Sequence, residues 1–134
     1  MSQSALNSLR VLFVDDEEVT RYLVRQLLPR GVYDVREAKS GTEGLAQLLN
    51  ERPDVVLLDL KMPEMTGFDL LDRISDETNL DRVPAIVLTS AILTLDERQR
   101  LRRAARIMSK SDLSGSSLTG AITDALGGSP SEAA

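Results

Sequence analysis

Five side chains that can bind a metal ion or a phosphoryl group stand at or just after the ends of short apolar runs. They are Asp15, Asp16, Asp59, Thr89 and Lys110. Clustered carboxylates repel one another, and a divalent cation relieves that repulsion. Oxygen ligands alone favour Mg²⁺ or Mn²⁺ over zinc, and Mg²⁺ commonly recruits a substrate phosphate. The Lys110 charge and the Thr89 hydroxyl then suit phosphoryl oxygens.

The composition excludes several classes of chemistry. The 134 residues include no Cys and no His. Disulfides, thiolate metal sites, Ser-His-Asp triads and histidine-bound zinc are therefore ruled out, and the chain cannot donate a phosphohistidine. The net charge of −5 disfavours nucleic-acid binding, because phosphate contacts dominate that affinity. No apolar run is long enough for a membrane span or a signal peptide, which predicts a cytoplasmic protein.

The chain alternates apolar, strand-like segments with helical patterns. The predicted strands are centred on 11–14, 35, 55–58, 85–88 and 107–108. Fully apolar runs are typical of strands that are buried on both faces of a parallel sheet. The alternation predicts an α/β fold, a five-stranded parallel sheet with helices on both faces. The expected domain spans 9–127, between a flexible arm at 1–8 and a disordered tail at 128–134.

Helix signals follow the predicted strands. Val19, Leu23 and Leu27, with Tyr22 beside them, recur at intervals typical of a helix stripe, which stops at Pro29-Arg30-Gly31. Capping-box spacing predicts the starts of three further helices, at Ser40–Glu43, Thr66–Asp69 and Thr94–Glu97. The last of these helices is strongly basic and is expected to reach about Arg103.

The predicted topology brings the five polar side chains together. In open α/β sheets, ligands bind beyond the carboxyl ends of the strands. The acid pair, Asp59, Thr89 and Lys110 lie at those ends. The first strand is followed by acids and not by a glycine-rich turn that could cradle a phosphate on its backbone. The sequence therefore predicts a metal-assisted phosphoryl site at one edge of the sheet.

The chain resembles the receiver domain of bacterial two-component response regulators over about residues 9–127. The matching motifs are Val14-Asp15-Asp16-Glu17, Leu58-Asp59 with Met62-Pro63-Glu64-Met65-Thr66-Gly67, Leu88-Thr89-Ser90-Ala91, and Lys110. The acid pair alone is a weak signal, but the four motifs in this order at strand ends are highly specific. The resemblance implies the flavodoxin-like (βα)5 fold of receivers.

The resemblance also implies a role for each site residue. Asp59 would accept a phosphoryl group from the phosphohistidine of a sensor histidine kinase or a histidine phosphotransfer protein. The residues implied in Mg²⁺ binding, directly or through water, are Asp15, Asp16, Asp59 and the backbone carbonyl of Lys61. Lys110 and Thr89 would hold phosphoryl oxygens. Thr89 would then move, shift the basic helix and present a new surface to an unknown downstream protein.

The sequence departs from the family pattern at two positions. Ile107 stands where receivers usually have an aromatic residue, so the aromatic that moves with the threonine is missing. Ser111 replaces the usual proline after Lys110. A non-proline cis bond costs ~2.5–4 kcal/mol, so the loop is expected to be trans and rearranged, or else strained and cis. Arg98 and Arg102 on the basic helix predict a solvated face, with an interface for an acidic partner as the alternative.

Two other functions remain open at this point. A metal-dependent phosphatase with an aspartyl-phosphate intermediate would need Asp-x-Asp, and Asp59-Leu60-Lys61 lacks the second acid. The third possibility is a scaffold that phosphorylation does not switch. The intact Asp59 and Lys110 disfavour it, whereas the unusual Ile107 and Ser111 keep it open. The resemblance allows a homodimer. It fits a stand-alone regulator and the receiver of a hybrid kinase equally, and names neither the cognate kinase nor the pathway.

Overall fold

The chain folds as a parallel sheet with helices on both faces. The structure is a computed structural model and describes residues 8–127. The strands are β1 (Leu9–Val14), β2 (Tyr33–Ala38), β3 (Val55–Asp59), β4 (Ala85–Thr89) and β5 (Arg106–Ser109). They pair in parallel in the order β2-β1-β3-β4-β5, which confirms the predicted five-stranded sheet. The order reverses between β1 and β3, where such sheets bind ligands.

Five α-helices form the two outer layers. They are α1 (Glu18–Leu27), α2 (Gly41–Asn50), α3 (Gly67–Asp76), α4 (Leu95–Arg100) and α5 (Gly115–Ala125), with a 3₁₀ turn at Lys110–Asp112. One buried cluster joins α2 and α3 to one face of the sheet, and another joins α1 and α5 to the other face. Strands β3 and β4 are buried along their whole length, as their apolar runs predict.

The predicted helix starts are confirmed by their caps. Ser40 Oγ accepts a hydrogen bond from the backbone N–H of Glu43 at 3.1 Å. The pairs Thr66–Asp69 and Thr94–Glu97 form complete capping boxes at the starts of α3 and α4. Each box satisfies two backbone N–H groups that a helix start leaves without partners.

The helix predicted from Val19, Leu23 and Leu27 is confirmed as α1, but only Leu27 of these three residues packs against the core. Val19 is 80% exposed and Leu23 is 41% exposed, while the buried positions of the helix are Arg21 and Val24. Leu28, just beyond the helix, continues this inward face. The inward face of the helix differs from the apolar stripe because the buried Arg21 side chain makes polar contacts with β1 and β2, which a local apolar pattern does not register.

The basic helix is shorter than the sequence predicts. α4 ends at Arg100, and residues 101–104 form turns. Leu101 is 1% exposed and packs into the core, so the chain turns inward there and reaches β5. The N–H of Ala104 donates to the carbonyl of Leu101 at 2.9 Å, which closes the turn.

Most of each predicted terminal segment falls outside residues 8–127. The predicted arm, apart from Ser8, and the predicted tail lie outside the described residues. Within 8–127 no peptide bond is cis, so the Lys110–Ser111 bond is trans. Ser109 Oγ accepts from the N–H of Ser111 at 3.2 Å and begins the 3₁₀ turn. None of the helices in 8–127 combines the length and the apolar character that crossing a membrane requires.

Candidate functional site

A cleft of about 200 Å³ opens at the carboxyl ends of the central strands. Its lining residues are Asp16, Glu17, Asp59, Lys61, Thr89, Ser90 and Lys110. Each strand end delivers its polar residue to this edge because the strands are parallel and in register: Asp59 pairs with Leu88, and Thr89 pairs with Ser109. The Asp15 side chain is fully buried next to the cleft, 3.0 Å from the Lys110 ammonium.

Asp15 is fixed by its neighbours on three atoms. Its N–H donates to the carbonyl of Ala38 at 3.0 Å, which extends the β1–β2 ladder by one residue. Its Oδ1 accepts from the N–H of Glu17 at 2.8 Å, and its carbonyl oxygen accepts from Arg21 Nη1 at 2.6 Å. Its Oδ2 is buried and lies 3.0 Å from the Lys110 ammonium, which is its charged partner. Burial raises the pKa of this carboxyl, although the Glu17 N–H and Lys110 oppose the rise.

Lys110 is the positive centre of the cleft. Its Nζ lies 3.0 Å from Asp15 Oδ2, 3.1 Å from Glu17 Oε1 and 3.3 Å from Asp59 Oδ1. Burial lowers the pKa of this amine, but the hydrogen bond and charge of Asp15, with the charge of Asp59, outweigh it and hold the pKa above its usual range. Lys110 is therefore a fixed cation that already sits where two buried carboxylates converge.

Asp59 is buried, and its surroundings disfavour the charged carboxylate. Burial, followed by the nearby charge of Asp15, raises its pKa from 3.8 to about 6, against the opposing effect of Lys110. Its main chain is enclosed as well, because a Cβ added to Gly67 would stand 2.2 Å from the Asp59 carbonyl oxygen. The N–H of Gly67 also donates to the carbonyl of Leu60 at 3.0 Å. The glycine therefore lets the start of α3 press directly against the end of β3.

Thr89 ends the strand next to that of Asp59, and its hydroxyl already accepts a hydrogen bond within its own loop. The residue is 4% exposed at the end of β4. Its Oγ1 accepts a hydrogen bond from the N–H of Ala91 at 3.0 Å. The hydroxyl proton remains available to donate to another acceptor in the cleft.

Three carboxylates could share a cation here. Asp15, Asp16 and Asp59 each offer an oxygen, and these oxygens all lie within 4.8 Å of one another. The donor set is all oxygen, and Asp15 Oδ2 is a buried carboxylate oxygen whose charged partner is the Lys110 ammonium at 3.0 Å. A hard cation such as Mg²⁺ would satisfy that oxygen and relieve the mutual repulsion, so the residues present fit this metal.

The comparisons with known proteins decide the family. The response regulator receiver domain matches residues 11–110, which includes every residue of the cleft. This chain belongs to the response regulator receiver family. Receiver domains of this family receive phosphoryl groups from histidine kinases and bind Mg²⁺ at an acidic pocket.

Relatives of this receiver cover most of its length. Protein PilH of Pseudomonas aeruginosa is 31% identical over 97 residues, which are 72% of this chain and 80% of PilH. The polar-differentiation response regulator DivK of Brucella anthropi is 30% identical over 93 residues, 69% of this chain and 75% of DivK. The chemotaxis protein CheY4 of Vibrio cholerae aligns with a TM-score of 0.80 at 27% identity, over 88% of this chain and 98% of CheY4. The receiver fold expected from the sequence is thereby confirmed.

The receiver cleft gathers most of the residues singled out in the sequence, but not all. Asp16, Asp59, Lys61, Thr89 and Lys110 line it, with Asp15 beneath. The other three lie elsewhere. Ile107 is half-buried and packs against the core cluster shared with α2 and α3, whereas Arg98 and Arg102 are exposed on and after α4.

The sequence did not predict the roles of two residues of this receiver, Glu17 and Arg21. In the sequence Glu17 is only part of the acidic motif, yet its Oε1 lies 3.1 Å from the Lys110 ammonium and its pKa is lowered mainly by that hydrogen bond. Arg21 lies on the buried side of α1 beneath the cleft. A charged residue on the buried face of a helix is informative, because such burial is rare. The sequence does not reveal it until the orientation of the helix is known.

Proposed function

We propose that this receiver is a phosphorylation switch in which Asp59 accepts a phosphoryl group from a phosphohistidine donor in the presence of Mg²⁺. The donor is a sensor histidine kinase or a histidine phosphotransfer protein. The observation that carries the proposal is the convergence of a buried Asp59, a fixed Lys110 cation and two further acids in one open cleft.

The metal in this proposal is held by the acid cluster. Asp16 and Asp59 would bind Mg²⁺ directly, the Lys61 carbonyl would add an oxygen, and Asp15 would orient a metal-bound water. A bound Mg²⁺ neutralises phosphoryl oxygens and draws the entering phosphate towards the cleft. Mn²⁺ offers the same oxygen preference and can replace it.

The transfer itself needs an ionised Asp59 carboxylate. One of its oxygens attacks the phosphorus in line, the new O–P bond forms, and the N–P bond to the donor imidazole breaks. The imidazole leaves with the bonding electron pair and later takes up a proton from water. Lys110 already lies 3.3 Å from Asp59 Oδ1 and is placed to hold a phosphoryl oxygen as charge is transferred. The acyl phosphate resets by hydrolysis, which breaks the O–P bond again.

The switch follows from the change in charge. Phosphorylation adds roughly −1.5 to −2 charges to the cleft. Thr89 would give up the hydrogen bond from the Ala91 N–H, 3.0 Å long in this state, and donate its own proton to a phosphoryl oxygen. The loop that leads to α4 moves with it, so the conformational equilibrium is biased by a local event.

The moving segment carries a surface that a partner could read. Ile92 is 97% exposed and Leu95 is 86% exposed, and Arg98 follows Leu95 by one helical turn. Arg100 and Arg103 are engaged within the chain, by Asp72 and by the Asp81 carbonyl. Arg98 and Arg102 make no ion pair with the described residues, so the downstream partner is proposed to be a protein with an acidic and apolar surface.

Intact mass spectrometry with acetyl phosphate tests the proposal. The wild-type protein should gain the mass of one phosphoryl group with Mg²⁺ and gain none when EDTA removes the metal. Asp59→Asn, which keeps the shape of the side chain, should gain none in either buffer. A stoichiometric phosphoform of Asp59→Asn would contradict the acceptor assignment. If the wild type binds Mg²⁺ but stays unmodified, a phosphorylated histidine donor separates donor dependence from a scaffold role.

A further inference from the structure

A buried arginine lies directly beneath the candidate metal site. The Arg21 side chain is 8% exposed, which is rare for an arginine unless it is well paired. Its Nη1 donates to the carbonyl oxygen of Asp15 at 2.6 Å, and its Nε donates to Glu37 Oε1 at 3.1 Å. The guanidinium therefore ties α1, the end of β1 and β2 together at one point.

The contact with Asp15 controls the peptide that leads into Asp16. The carbonyl of Asp15 belongs to the Asp15–Asp16 peptide, so a hydrogen bond that fixes this carbonyl also fixes the plane of the peptide. The Asp16 side chain is exposed and makes no hydrogen bond or ion pair with the described residues. Its place in the carboxylate cluster therefore depends on its backbone, and Arg21 is the side chain that holds the carbonyl of the Asp15–Asp16 peptide.

The effect of Arg21 is one of position more than of charge. Glu37 forms ion pairs with both Arg21 and Arg25, so the guanidinium does not stand as an isolated cation beneath the cluster. Because opposite charges in contact partly cancel at a third point, this ion pair adds little net charge beneath the cluster. Its fork of N–H donors, however, can hold two acceptors in a fixed relation, which a lysine ammonium cannot do equally well.

We propose that Arg21 is a positioning residue for the Mg²⁺ site and acts through the carbonyl of Asp15. This inference rests on the proposed function, since it concerns the same metal. Residues that orient metal ligands typically contribute about 10–100-fold to metal affinity. Arg21 supports the ligands through the main chain, so we expect a loss of about tenfold when it is replaced, at the lower end of that range.

The test compares two arginines on the same helix. Arg21→Met keeps an unbranched apolar stem and removes the donor to Asp15. Arg25→Met is the matched control, because Arg25 pairs with the same Glu37 but is 45% exposed and makes no contact with Asp15. Mg²⁺ dissociation constants are measured by isothermal titration calorimetry, and stability is measured separately by urea unfolding in EDTA.

Arg21→Met should weaken Mg²⁺ binding by about tenfold, Arg21→Lys should fall between it and the wild type, and Arg25→Met should match the wild type. A merely structural Arg21 would lower the urea midpoint in EDTA and leave the dissociation constant unchanged, which would overturn the proposal. Equal weakening by Arg25→Met would overturn it as well.

If Arg21→Met does not fold, Arg21→Lys against Arg25→Lys decides by the same criterion. A wild-type protein that binds no Mg²⁺ would contradict the proposed function, and this inference with it.

Discussion

The two sides of the cleft are built in opposite ways. On the β1–α1 side, Asp15 is held by Ala38, Glu17 and Arg21 through its N–H, its carboxylate and its carbonyl. On the β4–α4 side, the Thr89 hydroxyl is held by the N–H of Ala91, two residues away in the same loop. Asp15 is therefore held by a neighbouring strand and a helix, whereas the Thr89 hydroxyl is held within its own loop.

The adjoining helices repeat this difference. α1 has ten residues and buries Arg21 and Val24, whereas α4 has six residues and buries none. Segments with few buried contacts open at low free-energy cost. In the proposed switch, the side that would hold the metal is thus the one with more buried contacts, and the side that would move on phosphorylation is the one with fewer. We therefore propose that positioning and switching belong to different walls of a single site.

Lys110 forms ion pairs with both buried acids, Asp15 and Asp59. Its removal should therefore have the largest effect on stability. Lys110→Met leaves Asp15 and Asp59 facing each other without a cation, which should cost about 3 kcal/mol at pH 7 without metal. Mg²⁺ should restore part of the loss, because binding to the folded state stabilises it. Urea unfolding with EDTA or with Mg²⁺ measures both effects.

The penalty should shrink as the pH falls, because Asp59 becomes neutral; its pKa is about 6 with Lys110 present, and the loss of Lys110 raises it further. Arg106→Met is the control, since Arg106 forms an exposed pair with Asp124 and should change stability little. An unchanged unfolding free energy of Lys110→Met at pH 7 in EDTA would show that the acids do not repel as described.

Asp59→Asn should stabilise the folded protein by about 1–2 kcal/mol at pH 7 without metal. The pKa of Asp59 rises from 3.8 to about 6 on folding, so the folded state disfavours the charged carboxylate. Wild-type stability should therefore increase as the pH falls from 6 to 4, where the folded state binds the proton and the unfolded state does not. The advantage of Asp59→Asn should be full above pH 6 and should diminish over that window. A variant less stable than the wild type at pH 7 would oppose this assignment.

The smallest effect is expected on the wall with fewer buried contacts. Leu95 is 86% exposed, so Leu95→Ala should change the unfolding free energy by no more than about 0.5 kcal/mol. Val24→Ala is the matched change on α1, and it should cost about 2 kcal/mol because Val24 is fully buried. The two costs are compared by urea unfolding, and similar values for the two variants would remove the contrast between the walls.

Much of the site could be predicted because strand ends are visible in the sequence. The apolar runs before Asp15, Asp59 and Thr89 are buried strands, and the parallel order brings their ends together. The capping boxes of α3 and α4 depend on residues three positions apart, so their spacing in the sequence predicts them. These features are local, or follow from the alternation of strands and helices.

Features that depend on distant partners could not be predicted. The inward face of α1 follows from Arg21, whose partner Glu37 lies on β2. The link from Glu17 to Lys110 spans 93 positions of the chain. The early end of α4 follows from Leu101, which leaves the helix to enter the core. In each case a contact between remote segments overrides the local pattern.

Hydrogen–deuterium exchange of the phosphorylated protein tests the account most directly. The wild type is compared with and without acetyl phosphate in the same Mg²⁺ buffer, and Asp59→Asn serves as the control for effects of the reagent. The account predicts altered exchange in residues 89–104, which run from Thr89 through α4, and unchanged exchange in α1. Altered exchange in α1 of equal size, or a fully phosphorylated protein with no change in 89–104, would contradict it.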